Sequence, residues 1–252
     1  MARFFVPQEA IQQNKAVITG PDVKHITRVL RLKPGDTIGL SSGGREFAAR
    51  IAEITKKEVV CEIVSENPVS TEPPVRVTLY QGLPKGDKME LVIQKSTELG
   101  VSCLVPVVCE RTVIKLDEKK ARERQARWQK VAQEAAKQSR RTSIPEVREP
   151  LNFDRVLASV KDGTLAVMPW EEETSVGMRQ VLRNPGGPVK EVAVFIGPEG
   201  GFSAREAGMA RDRGVRLVSL GPRILRTETA GIAAAAIIMY ELGDLGGVEN
   251  GS

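Results

Sequence analysis

Histidine is nearly absent: His25 stands alone among 252 residues. A single imidazole excludes a histidine-rich metal site and leaves little room for a Ser-His-Asp triad. Cysteine is scarce as well. Cys61, Cys103 and Cys109 each lie inside an apolar or strand-like run, at spacings that form neither a disulfide framework nor a metal-ligand set. That usage implies a reducing cytoplasm. The longest apolar stretch, the ten residues Gly231 to Tyr240, falls far short of the ~20 that a membrane helix needs. Pro7 interrupts the N-terminus before a signal-like segment can form. What remains is ordinary globular material, 41% hydrophobic and 27% charged, enough to build the core of one or two domains.

Charge is uneven along the chain. Residues 1–75 carry 10 Lys and Arg against 9 Asp and Glu, residues 76–148 carry 16 against 9, and residues 149–252 carry 11 against 14. The net +5 therefore originates in the middle third, where a basic surface would meet phosphate. Short strand-like runs broken by Pro34-Gly35 and Gly43-Gly44 precede it and predict a small β-barrel. One helix starting at Pro21 interrupts them, with Val23, Ile26, Val29 and Leu30 on one face. The proline-rich stretch Ser65–Pro74 reads as a linker, dividing the chain into domains 1–72 and 73–252. Beyond it, Val75–Tyr80, Val101–Val108, Leu165–Met168, Val192–Ile196 and Val215–Leu220 are apolar strands. They alternate with helical segments that include Lys88–Leu99 and a long helix from Asp117 to Gln138. The alternation predicts an α/β domain with a mainly parallel sheet.

In open α/β sheets, ligands bind in the loops beyond the carboxyl ends of the strands. Three loops qualify: Pro169–Glu172, Gly197–Phe202 and Gly221–Thr229. The second holds three glycines in five residues, which permits positive φ and close backbone approach to a ligand. It runs into Ser203-Ala204-Arg205-Glu206, a capping box. The third leads into the small-residue segment Ala230–Ile238. Taken alone, both loops read equally well as tight strand-to-helix turns. Neither matches Gly-x-Gly-x-x-Gly or Gly-x-x-x-x-Gly-Lys-Ser/Thr, and Gly197–Gly201 contains no lysine to reach a terminal phosphate. A pocket of backbone amides and carbonyls suits instead a ligand with an adenine edge and no phosphates.

The stretch Phe195-Ile196-Gly197-Pro198-Glu199-Gly200-Gly201-Phe202-Ser203, followed by Leu220-Gly221-Pro222-Arg223-Ile224-Leu225-Arg226-Thr227-Glu228-Thr229-Ala230, closely resembles the RsmE family of SPOUT methyltransferases. The likeness runs the length of the chain, through Arg3-Phe4-Phe5, His25–Arg31, Lys33–Asp36, Lys95–Val101, Glu110-Arg111-Thr112 and Arg127-Trp128. It implies a PUA-like RNA-binding barrel followed by a SPOUT domain with a trefoil knot. It also implies a homodimer with its sites near the subunit interface, S-adenosylmethionine as cofactor and no metal. The implied reaction is methylation of N3 of a uridine in 16S ribosomal RNA of the small subunit. Carried onto this sequence, the cofactor site comprises Met168, Pro169, Gly197, Pro198, Glu199, Gly200, Gly201, Leu220, Gly221, Ile224, Leu225, Thr227, Thr229 and Ala230.

Methyl transfer from a sulfonium is an in-line displacement that needs the nucleophile aligned behind the methyl. The uridine N3 must lose its proton first, and the charge then spreads onto O2 and O4. An arginine beside one carbonyl stabilises that anion. Arg226, between the third loop and the last helix, is assigned this role; the plain alternative is an arginine that caps a carbonyl or pairs with Glu228 or Glu199. Glu199, Glu228, His25 and bulk water all stand as proton acceptors. RNA contact is expected from Arg3, Lys24, His25, Arg28 and Arg31 around the first helix, from Arg111, and from Arg140 and Arg141 at the end of the long helix on the catalytic domain. Trp128 reads as core. Two other functions fit the same motifs: an RNA-binding or ribosome-assembly factor without catalysis, and a SPOUT enzyme acting on tRNA or on ribose 2′-O.

Overall fold

The computed structural model describes residues 1–67, 71–114 and 117–247. The chain forms two units: Met1–Glu72 with Ala136–Ser143, and Pro73–Ala135 with the chain from Ile144 onward.

The first unit is a barrel-like mixed sheet of six strands. These are β1 (Arg3–Phe5), β2 (Ile11–Gln12), β3 (Lys15–Thr19), β4 (Thr37–Ser42), β5 (Arg45–Ile54) and β6 (Glu58–Asn67), in the order β1-β4-β5-β6-β3-β2. β1 and β4 run parallel, and the other pairs are antiparallel. Alternation along the strands gathers Phe4, Ile18, Ile38, Leu40 and Ile51 into one hydrophobic cluster, which Ile26 joins from the helix. The linker is shorter than its prolines imply. Ser65–Asn67 still pair with β5, because a ten-residue strand continues past the apolar pattern, and residues 68–70 lie outside the described residues.

The helix also departs from its expected face. α1 (Pro21–Lys24) continues as a wider π turn over His25–Val29, closed by the Leu30 N–H donating to His25 O at 2.9 Å. Val23 and Ile26 are buried, whereas the widened turn leaves Val29 69% exposed. The end of the long helix lies with this first unit rather than with the second. Glu72 is the reason: its carboxylate accepts from Arg141 Nη2 at 2.5 Å, Thr142 N at 2.9 Å and Ser143 N at 3.1 Å. Burial pushes the Glu72 carboxyl up, but the Arg141 guanidinium and the Ser143 hydrogen bonds outweigh it and hold the group below the usual carboxylate range.

The second unit is a seven-stranded sheet: β7 (Arg76–Gly82), β8 (Cys103–Val108), β9 (Glu146–Val147), β10 (Leu151–Asn152), β11 (Leu165–Pro169), β12 (Glu191–Ile196) and β13 (Arg216–Val218). Its order is β10-β8-β7-β12-β11-β13, with β9 on β8, and every described pairing is parallel. The helices are α2 (Lys88–Glu98), α3 (Glu118–Gln138), α4 (Phe153–Ala158), α5 (Met178–Arg183), α6 (Ala204–Asp212) and α7 (Thr227–Glu241). Successive strand residues point to opposite faces. Val77, Leu79, Val194 and Ile196 therefore meet Val92, Trp128, Met178 and Ala235 in one cluster. Tyr80, Phe195 and Met168 meet Phe153 and Ala207 in the other. Among the described residues no helix is long and apolar enough to cross a membrane.

Candidate functional site

β12, β11 and β13 are adjacent and parallel, so their carboxyl ends stand side by side and their loops converge. Between those loops lies a cavity of about 780 Å³, inside the range of about 300–1,000 Å³ typical of small-molecule sites. Much of its wall is backbone. Gly201 at φ 68° and Gly221 at φ 110° occupy the left-handed region that favours glycine, one in each of the two glycine loops. The first of these loops is braced from below. Ser203 and Glu206 form the expected capping box, the Ser203 N–H donating to Glu206 Oε2 at 2.9 Å and the Glu206 N–H to Ser203 Oγ at 3.2 Å. The second oxygen of this buried carboxylate accepts from Glu110 N at 2.9 Å, and Arg111 Nη1 donates to Gly200 O at 2.9 Å.

Charges at the rim are sorted by one lysine. Lys88 Nζ lies 3.3 Å from Glu228 Oε1 and 3.7 Å from Glu199 Oε1. Burial pushes the Glu199 carboxyl up, but the Lys85 backbone N–H at 2.9 Å, its own backbone N–H and the charges of Lys88 and Lys85 together hold it below the usual carboxylate range. Arg226 is the N-cap residue of α7, is exposed, and makes no ion pair among the described residues. The alternative in which Arg226 pairs with Glu199 or Glu228 is therefore not what the fold builds, since both carboxylates face Lys88.

Pro169, Gly197, Pro198, Glu199, Gly201, Leu220, Gly221, Ile224, Leu225, Arg226, Thr227 and Ala230 all line the cavity. Four expected site residues do not. Met168 is fully buried in the core, because strand alternation turns it away from the loops. Gly200 backs onto Arg111, Thr229 is exposed on the helix, and Glu228 turns to Lys88. Trp170, Glu171, Ile196, Phe202, Pro222 and Arg223, from the same loops and motifs, also line it, and Lys88, Glu173, Thr174 and Ser219 complete the wall from outside them. Lys88 had a usable signal: it follows the loop after β7, at the same sheet edge as the other three.

The basic residues divide in the same way. Lys24, His25, Arg28, Arg31 and Arg140 are exposed. Arg3 is held by Glu46 and donates to Arg140 O at 2.6 Å. Arg141 is only 3% exposed, its guanidinium against Glu72. Arg111 supports the glycine loop. Arg3 and Arg141 are therefore committed to carboxylates within the fold, whereas Arg111 stays exposed beside the loop it supports. Among the described residues no cluster of His, Cys, Asp and Glu has the arrangement to hold a metal ion.

An RNA methyltransferase domain family matches residues 71–239, and an RNA methyltransferase PUA domain matches residues 18–64. The ribosomal RNA small subunit methyltransferase E of Bacillus subtilis is 36% identical over 250 residues, covering 96% of this chain and 97% of its own. The crystal structure of the ribosomal RNA small subunit methyltransferase E from Neisseria gonorrhoeae, bound to S-adenosyl methionine, superposes with a TM-score of 0.84 at 32% identity, over 97% of this chain and 99% of that one. A putative methyltransferase from Legionella pneumophila, also in complex with that cofactor, gives a TM-score of 0.78 at 34% identity, over 96% and 98% of the two chains.

Proposed function

The chain belongs to the ribosomal RNA small subunit methyltransferase E family, and from that premise we propose that it methylates N3 of a uridine in 16S ribosomal RNA, with S-adenosylmethionine as donor. One observation carries the reading: a cavity walled by backbone, of a size to take adenosine, has an unpaired arginine at its rim. The wall fits the cofactor chemically. Gly197, Gly201, Leu220 and Leu225 offer main-chain groups to an adenine edge, and Phe202 and Ile224 supply apolar surface. The one lysine in the wall, Lys88, is already paired with two carboxylates, which leaves Arg223 and Arg226 as the wall's uncommitted cations among the described residues. When bound, S-adenosylmethionine supplies an electrophilic methyl group on a sulfonium.

The protein's own task is to make the uridine imide nucleophilic. Glu199, held ionised below the usual carboxylate range, is a weak base toward so reluctant a proton. Arg226 acts instead on the product of that ionisation. Its uncommitted guanidinium stabilises negative charge on an imide carbonyl oxygen and lowers the cost of losing the N3 proton to water.

Domain 1–72 is the RNA-binding part in this reading, with the exposed Lys24, His25, Arg28 and Arg31 as its contacts and Arg140 adding to them; domain 73–252 carries the cavity. A second copy of the chain would cover the exposed Tyr240 and Leu245 and the partly buried Ile237. These side chains border a hollow that shares Ser219, Leu220 and Gly221 with the cofactor cavity, so the homodimer interface would adjoin the site. The test is reaction of the purified protein with labelled cofactor and small ribosomal subunits from a cytoplasm lacking the enzyme, followed by mass spectrometry of the nucleosides. N3-methyluridine in 16S RNA is expected. Labelled 2′-O-methyluridine, label in tRNA alone, or no cofactor binding by a folded protein would overturn it.

A further inference from the structure

We propose that Gln81, at the end of β7 and outside every recognised motif, is a positioning residue that sets both glycine loops for cofactor binding through the hydroxyl of Thr227. The inference rests on the cavity being the S-adenosylmethionine site. Gln81 is fully buried. Its Nε2 donates to Thr227 Oγ1 at 2.8 Å and to Gly82 O at 3.2 Å. A backbone carbonyl only accepts, so Gly82 O fixes which end of the amide is nitrogen. Thr227 Oγ1, already receiving that N–H, turns its own hydrogen outward and donates to Gly197 O at 2.5 Å. The result is a one-way series from β7, through the first residue of α7, to the glycine loop after β12. Thr227 and Gly197 both line the cavity.

Packing alone does not account for a glutamine here. The Oε1 of Gln81 is buried without a hydrogen-bond partner among the described residues, and a methionine would occupy similar space without leaving an acceptor unpaired. Two glycines make the approach possible. A Cβ at Gly231 would collide with Gln81 Oε1, and one at Gly82 would stand 2.7 Å from Gly197 C and collide with Pro198 N. The end of β7 therefore touches both loops, residue 82 by backbone contact and residue 81 by its amide.

The test is a double-mutant cycle read by calorimetric affinity for S-adenosylmethionine and by melting temperature. Gln81→Met and Thr227→Val are each expected to weaken cofactor binding about tenfold, or about 1.4 kcal/mol. The double variant is expected to be no weaker than either single one, because both changes cut one series. Thr227→Ser, which restores a hydroxyl, should recover most of the affinity lost in Thr227→Val. The KM for the cofactor should rise with Kd while kcat at saturation moves far less. A purely structural Gln81 would lower the melting temperature and leave Kd in place, and independent roles would multiply to about a hundredfold in the double variant; either result overturns the inference. Should Gln81→Met not fold, the contrast between Thr227→Val and Thr227→Ser decides, with Gln81 intact. Wild-type protein that binds no cofactor would overturn the reading of the cavity itself, and this inference with it.

Discussion

Two pairs of arginines, one in each unit, meet opposite fates. In the N-terminal unit Arg3 and Arg141 are drawn against Glu46 and Glu72, and their forks hold the fold together. In the C-terminal unit Arg223 and Arg226 line a cavity and make no ion pair among the described residues. Nothing in the local sequence separates the two classes: Arg140-Arg141 looks as suited to phosphate as Arg226 does to an imide. What separates them is whether the fold brings a carboxylate. A committed guanidinium stabilises the native state, and an uncommitted one beside a cavity is available to charge that develops there.

The sharpest way to break this contrast is to remove a carboxylate from a committed pair. Glu72→Ala would break the buried Arg141–Glu72 pair, and should cost about 3–5 kcal/mol in urea unfolding. A loss under about 1 kcal/mol would place Arg141 with solvated surface arginines instead. Next comes the uncommitted class. Arg226→Ala should lower kcat roughly 100-fold, an effect of about 2.7 kcal/mol, with stability changed by no more than about 0.5 kcal/mol and cofactor affinity nearly untouched. Collapse of cofactor affinity with kcat preserved would reverse that assignment.

The same contrast marks where the sequence was legible. Parallel strands and the loops at their carboxyl ends follow from runs of β-branched residues separated by glycine turns, and the capping box at Ser203 and Glu206 is a local signal. Gln81 was opaque because its meaning depends on β7 lying beside β12, a neighbour more than a hundred residues away in the chain, and Lys88 was legible only as the residue after the β7 loop. The partner of Arg141 is equally remote, at Glu72. β9 and β10 span two residues each, too short to express a period. Val29 shows a third kind of miss: the apolar spacing was correct, but a π turn rotated it into solvent.

Acid sharpens the comparison by a smaller amount. The folded carboxyl of Glu72 lies below its usual range, so its contribution is complete above the unfolded value, about 4.3. It is lost as pH falls through the lower, folded value. Wild-type stability should therefore fall more steeply than that of Glu72→Gln between about pH 4 and pH 2. Equal slopes would mean that Glu72 titrates as a free carboxylate.

The smallest effect belongs to arginines that neither pair nor face the cavity. Arg28 and Arg31 are exposed in the N-terminal unit, on and just beyond the π turn, without ion pairs among the described residues. Their replacement by alanine should leave stability within about 0.5 kcal/mol. If each neutralises one phosphate of single-stranded RNA, each loss should reduce the slope of log affinity against log salt by about 0.7. Arg141→Ala makes the complementary control, because a buried guanidinium contacts no phosphate: it should destabilise the protein and leave the salt slope of the remaining folded fraction unchanged. A lowered slope for Arg141→Ala, or an unchanged one for Arg28→Ala, would show that exposure does not distinguish the arginines that meet RNA from those that hold the fold.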